Sequence, residues 1–231
     1  MSERLQKAAD MVSRGRYLAD VGCDHGYVSI YLYKKGICRK CLAMDINKGP
    51  LAAARANAAS YQAEEGVELR LSDGLKKVKS GECDCALLAG MGGSLMVKIL
   101  EDSPEITKEL EELVLEPQSE PEKVRDYVCR EGFFIVEEDM TLEQGKYYPI
   151  MKCLRKKEKQ QLSKAEEKYG PWLIKNEHPL LKELLSKEEK RLSEIAKKLT
   201  SSQKGALRLA QIKQEQELIR SIKDSWENAN E

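Results

Sequence analysis

Net charge is missing from this 231-residue chain: 39 Lys and Arg stand against 39 Asp and Glu. That balance argues against a protein that holds nucleic acid by bulk charge, while leaving room for a local basic patch. Long apolar runs are missing as well. The longest aliphatic stretches are short pieces such as Ala86-Leu87-Leu88-Ala89. A membrane span needs roughly 18 consecutive apolar residues, so none is expected. Met1-Ser2-Glu3-Arg4 leads into a mixed polar helix, so no secretory signal is expected either. Histidine is scarce, with two residues in all, so a metal site would have to be built from thiolates. The seven cysteines (Cys23, Cys38, Cys41, Cys83, Cys85, Cys129 and Cys153) are odd in number. They read as reduced thiols of a cytoplasmic protein. Cys38-x-x-Cys41 and Cys83-x-Cys85 invite a tetrahedral metal, but they fall short of a paired knuckle pattern. The expectation is small buried hydrophobes in strands and no metal.

What is present points to a folded chain. Hydrophobic residues make up 41% and charged residues 34%, which suits a real core under a very polar surface. Disorder of the whole chain is thereby excluded. The length predicts one mid-sized domain with an appendage. Over the first ~155 residues, helix-like and strand-like patterns alternate. Ser2 caps a helix running to Ser13, with Leu5, Ala8, Ala9 and Val12 on one face. Short apolar runs predict strands at Leu18–Gly22, Cys41–Asp45, Val67–Leu71, Cys85–Ala89 and Leu113–Leu115. Helices are expected over 26–35, 51–62, 95–100 and 121–130. Two closing strands, Phe133–Glu137 and Tyr147–Leu154, are separated by a polar loop and form an antiparallel pair. The alternation predicts an α/β fold of Rossmann-like type: a mostly parallel seven-stranded sheet with helices on both faces.

After Arg155 the texture changes, with 17 Lys and Arg against 13 Asp and Glu. Leu185, Leu192 and Leu199 repeat every seven residues, as do Ile212, Ile219 and Trp226. Ser201-Ser202-Gln203-Lys204-Gly205 is placed to break the run. The pattern predicts an antiparallel coiled-coil hairpin, with Pro171 and Pro179 marking its connection to the sheet. The expected domains are 1–157 and 158–231.

Polar residues and glycines cluster at the strand ends, where open α/β sheets bind ligands. The first strand ends in Asp20-Val21-Gly22-Cys23-Asp24-His25-Gly26. Its G-x-x-x-G is neither the dinucleotide fingerprint nor a phosphate loop with its lysine. Asp45, followed by Ile46, is spaced to accept hydrogen bonds from two ribose hydroxyls. Asp73, followed by Gly74, is placed to receive an adenine amine. Ala89-Gly90-Met91-Gly92-Gly93 has almost no side-chain bulk and leaves room for a planar substrate. Together these elements read as a site for a nucleoside cofactor without a pyrophosphate, S-adenosylmethionine. His25 is read equally as a helix-start cap.

These residues resemble a family, the bacterial tRNA adenine-22 N1-methyltransferases (the TrmK family), which are class I enzymes. The resemblance rests on Asp20-Val21-Gly22-Cys23-Asp24-His25-Gly26-Tyr27, Ser72-Asp73-Gly74-Leu75 and Leu88-Ala89-Gly90-Met91-Gly92-Gly93. Arg4-Leu5, Gly145-Lys146-Tyr147-Tyr148 and Gly170-Pro171-Trp172-Leu173 extend it over nearly the whole chain. Leu115-Glu116-Pro117-Gln118 sits where the family often has Leu-Gln-Pro-Asn, Asp45 where some members carry Glu, and Pro149 where Glu often follows Tyr. The resemblance implies that Asp20, Gly22, Asp24, Asp45, Asp73 and residues 89–93 line a methionine–adenosine pocket. It also implies that Asp24 and His25 lie nearest the chemistry, positioning the base or stabilising charge.

The implied target, ring N1, carries an in-plane lone pair and needs no base to remove a proton. The loop after the fourth strand also lacks the Asp or Asn with Pro-Pro-aromatic that serves exocyclic amines. Catalysis by positioning and exclusion of water is therefore expected. On the substrate side, Arg4, Pro117, Gln118, Lys146 and Tyr148 are the expected contacts, with the last two on an edge strand. Lys34, Lys35, Arg39 and Lys40 are read as a solvated face at the back of the sheet. The expected partner is tRNA, with no DNA and no membrane, for a monomer or weak dimer. Another class I methyltransferase, acting on ribosomal RNA or a metabolite, and a non-catalytic tRNA-binding module are the other readings.

Overall fold

Short apolar runs followed by amphipathic segments build the first unit strand by strand. The computed structural model describes residues 1–199 and 203–229. Helix α1 (Glu3–Asp10) is capped by Ser2, whose hydroxyl accepts from the Leu5 N–H at 3.3 Å. There follow β1 (Arg16–Val21), α2 (Tyr27–Lys34), β2 (Cys38–Asp45), α3 (Lys48–Ser60), β3 (Val67–Leu71) and β4 (Cys85–Met91). Helices α4 (Gly93–Glu101) and α5 (Pro104–Glu109) lead to β5 (Glu112–Pro117), α6 (Pro121–Arg130), β6 (Phe133–Glu143) and β7 (Lys146–Arg155). The short α5, opened by a proline, is an addition to the sequence reading.

The seven strands form one sheet in the order β3-β2-β1-β4-β5-β7-β6. Strands β1 to β5 are parallel, and β7 runs antiparallel to both β5 and β6. The chain steps outward from β1 to β3, then returns and steps the other way through β4 and β5. Right-handed crossovers in opposite directions put α2 and α3 on one face and α4 to α6 on the other. Leu18, Leu87, Leu113, Val114 and Leu115 are at most 1% exposed, as expected for strands covered on both faces.

Two expectations about the closing strands are corrected. The segment read as a polar loop is strand: β6 runs to Glu143 and pairs with β7 across the turn Gln144–Gly145. Both turn residues have positive φ, +49° and +78°, the conformation of a tight two-residue hairpin. Glu137-Glu138-Asp139 has a loop-like composition, yet Glu138 is buried and its Oε1 accepts from Arg125 Nε of α6 at 2.8 Å. The second correction concerns Lys146 and Tyr148. They lie on β7, which is inserted between β5 and β6, so β6 is the edge.

The chain divides into two compact units at Gln161/Leu162. Gln160 belongs with the sheet, because its Oε1 accepts from the Ile135 N–H at 2.7 Å. The second unit holds α7 (Lys164–Tyr169), α8 (Pro171–Lys175), α9 (Pro179–Lys198) and α10 (Gln203–Ala229). Pro171 and Pro179 open α8 and α9 inside this unit rather than joining it to the sheet. Helices α9 and α10 form an antiparallel hairpin: Gln216 Nε2 donates to Ser193 at 3.2 Å, and Lys223 pairs with Glu189 at 2.5 Å. Leu181, Leu185, Leu192, Ile212 and Ile219 are fully buried. Leu199 lies just past α9, so the first heptad stripe ends at Leu192. Of the expected break, Ser201 and Ser202 lie outside the described residues, and Gln203 to Gly205 belong to α10.

Candidate active site

Because β1 to β5 are parallel, their carboxyl ends share one edge of the sheet. The chain leaves β1 and β4 in opposite directions, which opens a crevice between them. A cavity of about 300 Å³ lies there, its wall including Arg4, Asp20, Gly22, Asp24, Gly90 and Gln118.

The turn after β1 forms the floor. Asp20 is 3% exposed, and its Oδ2 accepts from the Ser29 hydroxyl at 2.6 Å. Burial pushes its carboxyl up to about 6, against the pull of the Ser29 hydrogen bond. The N–H groups of Gly22 and Cys23 both donate to the Met44 carbonyl at 2.8 Å, tying this turn to β2. Gly22 sits at φ +75°, and a Cβ there would lie 3.1 Å from Met91 Cε. The positive φ is what calls for glycine here, since the Met91 methyl could give way by a few tenths of an ångström. Asp24 also has positive φ, +49°, and forms part of the wall. His25 stands beside the wall, with Nε2 3.5 Å from Asp24 Oδ2 and its ring 6.0 Å from that of Tyr27. It does not cap α2, whose N-cap is Gly26 with no side-chain cap bond.

The next two strand ends continue the edge outside the cavity wall. Asp45 Oδ1 accepts from the Asn47 N–H at 2.8 Å, and its second oxygen has no partner among the described residues. Ile46 beside it is 62% exposed, unusual for an aliphatic side chain of this size. The Asp73 carboxylate is held by Lys76 Nζ at 2.5 Å, and Gly74 follows at φ +59°.

The opposite wall is made by the ends of β4 and β5. Gln118 N–H donates to the Met91 carbonyl, and Gly93 N–H to the Ser119 carbonyl, both at 2.9 Å. A Cβ at Gly93 would fall 2.5 Å from the Glu120 carbonyl and 2.7 Å from that of Ser119. The two loops therefore touch backbone to backbone, with Gly92 between as the N-cap of α4. Pro117 is buried at the end of β5, and Ala89 and Gly90 face the cavity.

Two residues missed in the sequence reading organise this wall. Glu116, fully buried, accepts from the Gly90 N–H at 2.7 Å and forms an ion pair with Arg4. Burial pushes its carboxyl up, while Arg4 and the Gly90 N–H pull the other way. Its Oε1 has no partner among the described residues. Glu143 accepts from the Arg4 backbone N–H at 3.1 Å and lies 3.5 Å from its Nε. The Arg4 guanidinium stacks 4.9 Å from the centre of the Tyr148 ring, and Lys146 Nζ lies 5.1 Å from it. A glutamate directly after the apolar run Leu113–Leu115 was the available signal for Glu116, since a charge so placed requires a partner. Among the described residues, no three His, Cys, Asp or Glu are grouped to hold a metal ion, and all seven cysteines are buried and free.

Comparison with known proteins agrees with this architecture. Residues 1–151 match a family described as a methyltransferase domain. A tRNA (adenine(22)-N(1))-methyltransferase of Bacillus subtilis is 30% identical over 151 residues, which cover 65% of this chain and 63% of that protein. The match thus spans a little under two thirds of that relative. A candidate tRNA (m1A22) methyltransferase of Streptococcus pneumoniae superposes with a TM-score of 0.88 at 28% identity, covering 96% of this chain and 99% of the other. Its structure in complex with S-adenosyl-L-methionine gives 0.84 over the same shares. The Bacillus subtilis TrmK structure, at 24% identity, shares the fold with a TM-score of 0.86 over 96% of this chain and 98% of its own. The chain belongs to the methyltransferase-domain family.

Proposed function

We propose that the protein transfers a methyl group from S-adenosylmethionine to N1 of adenine-22 in the D-loop region of tRNA. The observation that carries this reading is the pairing of two walls. A buried carboxylate, Asp20, lines one side of the cavity, and Ala89 and Gly90, with almost no side chain, line another.

The residues fit the cofactor. Asp20 has no cationic partner among the described residues, so at neutral pH it presents a negative charge that a cationic ligand would balance. Asp24 adds a second carboxylate. The open oxygen of Asp45 suits a ribose hydroxyl, Ile46 suits the face of an adenine, and Asp73 with Gly74 suits the edge of that base. The glycine at 22 lets the backbone approach the ligand. When bound, the cofactor supplies an activated methyl group on a sulfonium.

The chain's own part is to place the acceptor and exclude water. Adenine N1 attacks with its in-plane lone pair, so no side chain has to take a proton first. The task is alignment of the acceptor nitrogen, worth several orders of magnitude in rate when well achieved. The Gly90–Gly93 loop leaves space for a flat base, with Gln118 and Arg4 at its margin and Tyr148 behind Arg4. Glu116 and Glu143 neutralise Arg4, so the mouth does not repel a base that becomes cationic on methylation. Asp24, at the same mouth, stabilises that positive charge. N1 lies on the pairing edge, so the target adenine must be turned out of its stack to reach the site. With tRNA as substrate, the place of work is the cytoplasm.

The test is methylation of unmodified tRNA with labelled S-adenosylmethionine, mapped by reverse-transcription stops. A stop at position 22 that vanishes when that adenine is replaced by guanine is the expected result. Labelling that survives the replacement contradicts the assignment.

A further inference from the structure

Sequence reading places Lys34 and Lys35 on a solvated face, and the fold puts them in different company. Helices α1 and α2 and the end of α3 enclose a groove of about 450 Å³ whose wall includes Tyr27, Tyr31, Tyr61, Lys34 and Lys35. Tyr27 is 42% exposed and Tyr61 53%, although large aromatic side chains are normally well covered. Ile30, 4% exposed, forms part of the floor. Lys34 and Lys35 are both exposed and have no ion-pair partner among the described residues, whereas Lys76, Lys98 and Lys123 are all paired with carboxylates. The nearby carboxylate of Asp10 is engaged, accepting from Tyr31 Oη at 2.7 Å and Gln6 Nε2 at 2.9 Å.

The groove also has a direction. Tyr27 opens α2 one residue after Gly26, beside the His25 ring and the Asp24 corner of the cofactor cavity. From there α2 runs toward the back of the sheet, and Tyr27 to Lys35 spans about 12 Å at 1.5 Å per residue. Exposed ring faces followed by unpaired ammonium groups match a strand of nucleic acid, whose bases stack on aromatics while its phosphates meet lysines.

We propose that this groove is a second contact for the RNA substrate, holding nucleotides that flank the target base by stacking on tyrosines and by charge on Lys34 and Lys35. The proposal rests on the reading of the protein as a tRNA methyltransferase. The groove explains how a chain with no net charge grips a polyanion, since it starts beside the cavity at Tyr27 and leads to unpaired cations at the far end of α2.

The test uses the full chain, unmodified tRNA and S-adenosylmethionine. Tyr61→Ala is expected to raise the tRNA KM about tenfold, the usual scale for one lost stacking partner. Lys34→Ala with Lys35→Ala should raise it similarly and flatten the salt dependence of binding by about one to two units of slope. Lys34→Arg with Lys35→Arg should restore both. In every variant kcat, affinity for S-adenosylmethionine and Tm should stay at wild-type values. Unchanged tRNA KM and salt slope in variants that melt like the wild type would overturn the groove while leaving the methyltransferase reading intact. A wild-type chain that neither binds nor methylates tRNA would overturn both.

Discussion

Asp20 couples the site to pH. Its carboxyl is pushed up to about 6 by burial, from 3.8, so the folded chain binds a proton there more tightly than the unfolded chain does. The stability this contributes is complete below about pH 4 and lost as pH rises through about 6. Asp20→Asn removes the dependence while keeping an acceptor for the Ser29 hydroxyl. The difference in Tm should therefore shift in favour of the variant as pH rises from 4 to 7. Cofactor binding should run the opposite way. Affinity for S-adenosylmethionine should weaken as pH falls below about 6 and Asp20 loses its charge, and calorimetry on Asp20→Asn should show a flat profile. An unchanged profile in the variant would separate Asp20 from the ligand. At Glu116, replacement by leucine leaves the Gly90 N–H without its acceptor and Arg4 with Glu143 alone. A loss of about 1–3 kcal/mol in chemical denaturation is expected. Glu116→Gln keeps an acceptor for Gly90 and should lose less, with its main effect on the tRNA KM through Arg4.

Between elements, the buried Arg125–Glu138 pair joins α6 to β6, with the two side chains 1% and 0% exposed. Arg125→Ala takes away the countercharge of a buried carboxylate, and a loss of about 3–5 kcal/mol by denaturant unfolding is expected. Arg125→Met combined with Glu138→Leu should recover much of it. This pair also shows where the sequence was hard to read. Strands β1, β2, β4 and β5 each hold a short apolar run, such as Leu42-Ala43-Met44 or Leu113-Val114-Leu115, with glycine, aspartate or proline close behind it, and that composition states both the element and its stop. Strand β6 carries Glu137-Glu138-Asp139 and continues to Glu143, so its charges look like a loop until the partner on α6 is known. The same limit applies to the site. Asp20, Gly22, Asp24 and Gly90 are local signals, grouped at strand ends by the topology, and they are legible one by one. Glu116, Arg4 and Glu143 come from β5, α1 and β6, and only the folded sheet brings them together. The groove of Tyr27, Tyr61 and Lys35 was hidden for the same reason, because Tyr61 comes from the end of α3 and the other two from α2.

For the whole molecule, the zero net charge divides differently from what the sequence alone suggests. Counted from residue 156, the second part looks basic by four charges. The structural division falls after Gln161, however, and Lys156, Lys157 and Lys159 stay with the sheet. Residues 162–231 then hold 14 Lys and Arg against 12 Asp and Glu. Several of those lysines are already paired within the helical unit: Lys168 with Glu215, Lys182 with Glu177, and Lys187 with Glu183. Exposed pairs of this kind add little stability, but they lower the charge on offer to a polyanion. The sheet unit, by contrast, keeps Lys34 and Lys35 unpaired. RNA affinity should therefore be shared between the units rather than held by the helical arm alone. A chain ending at Gln161 should bind S-adenosylmethionine with wild-type affinity in calorimetry, since every residue of the cavity wall lies before that point. One ending at Lys157 should be less stable, because the Ile135 N–H loses Gln160 as its partner. In filter binding against salt, the Gln161 truncation should hold tRNA more weakly yet keep a measurable slope. That slope should fall further when Lys34 and Lys35 are also replaced by alanine. A truncated chain with no salt-dependent binding at all would place the whole RNA contact in the second unit.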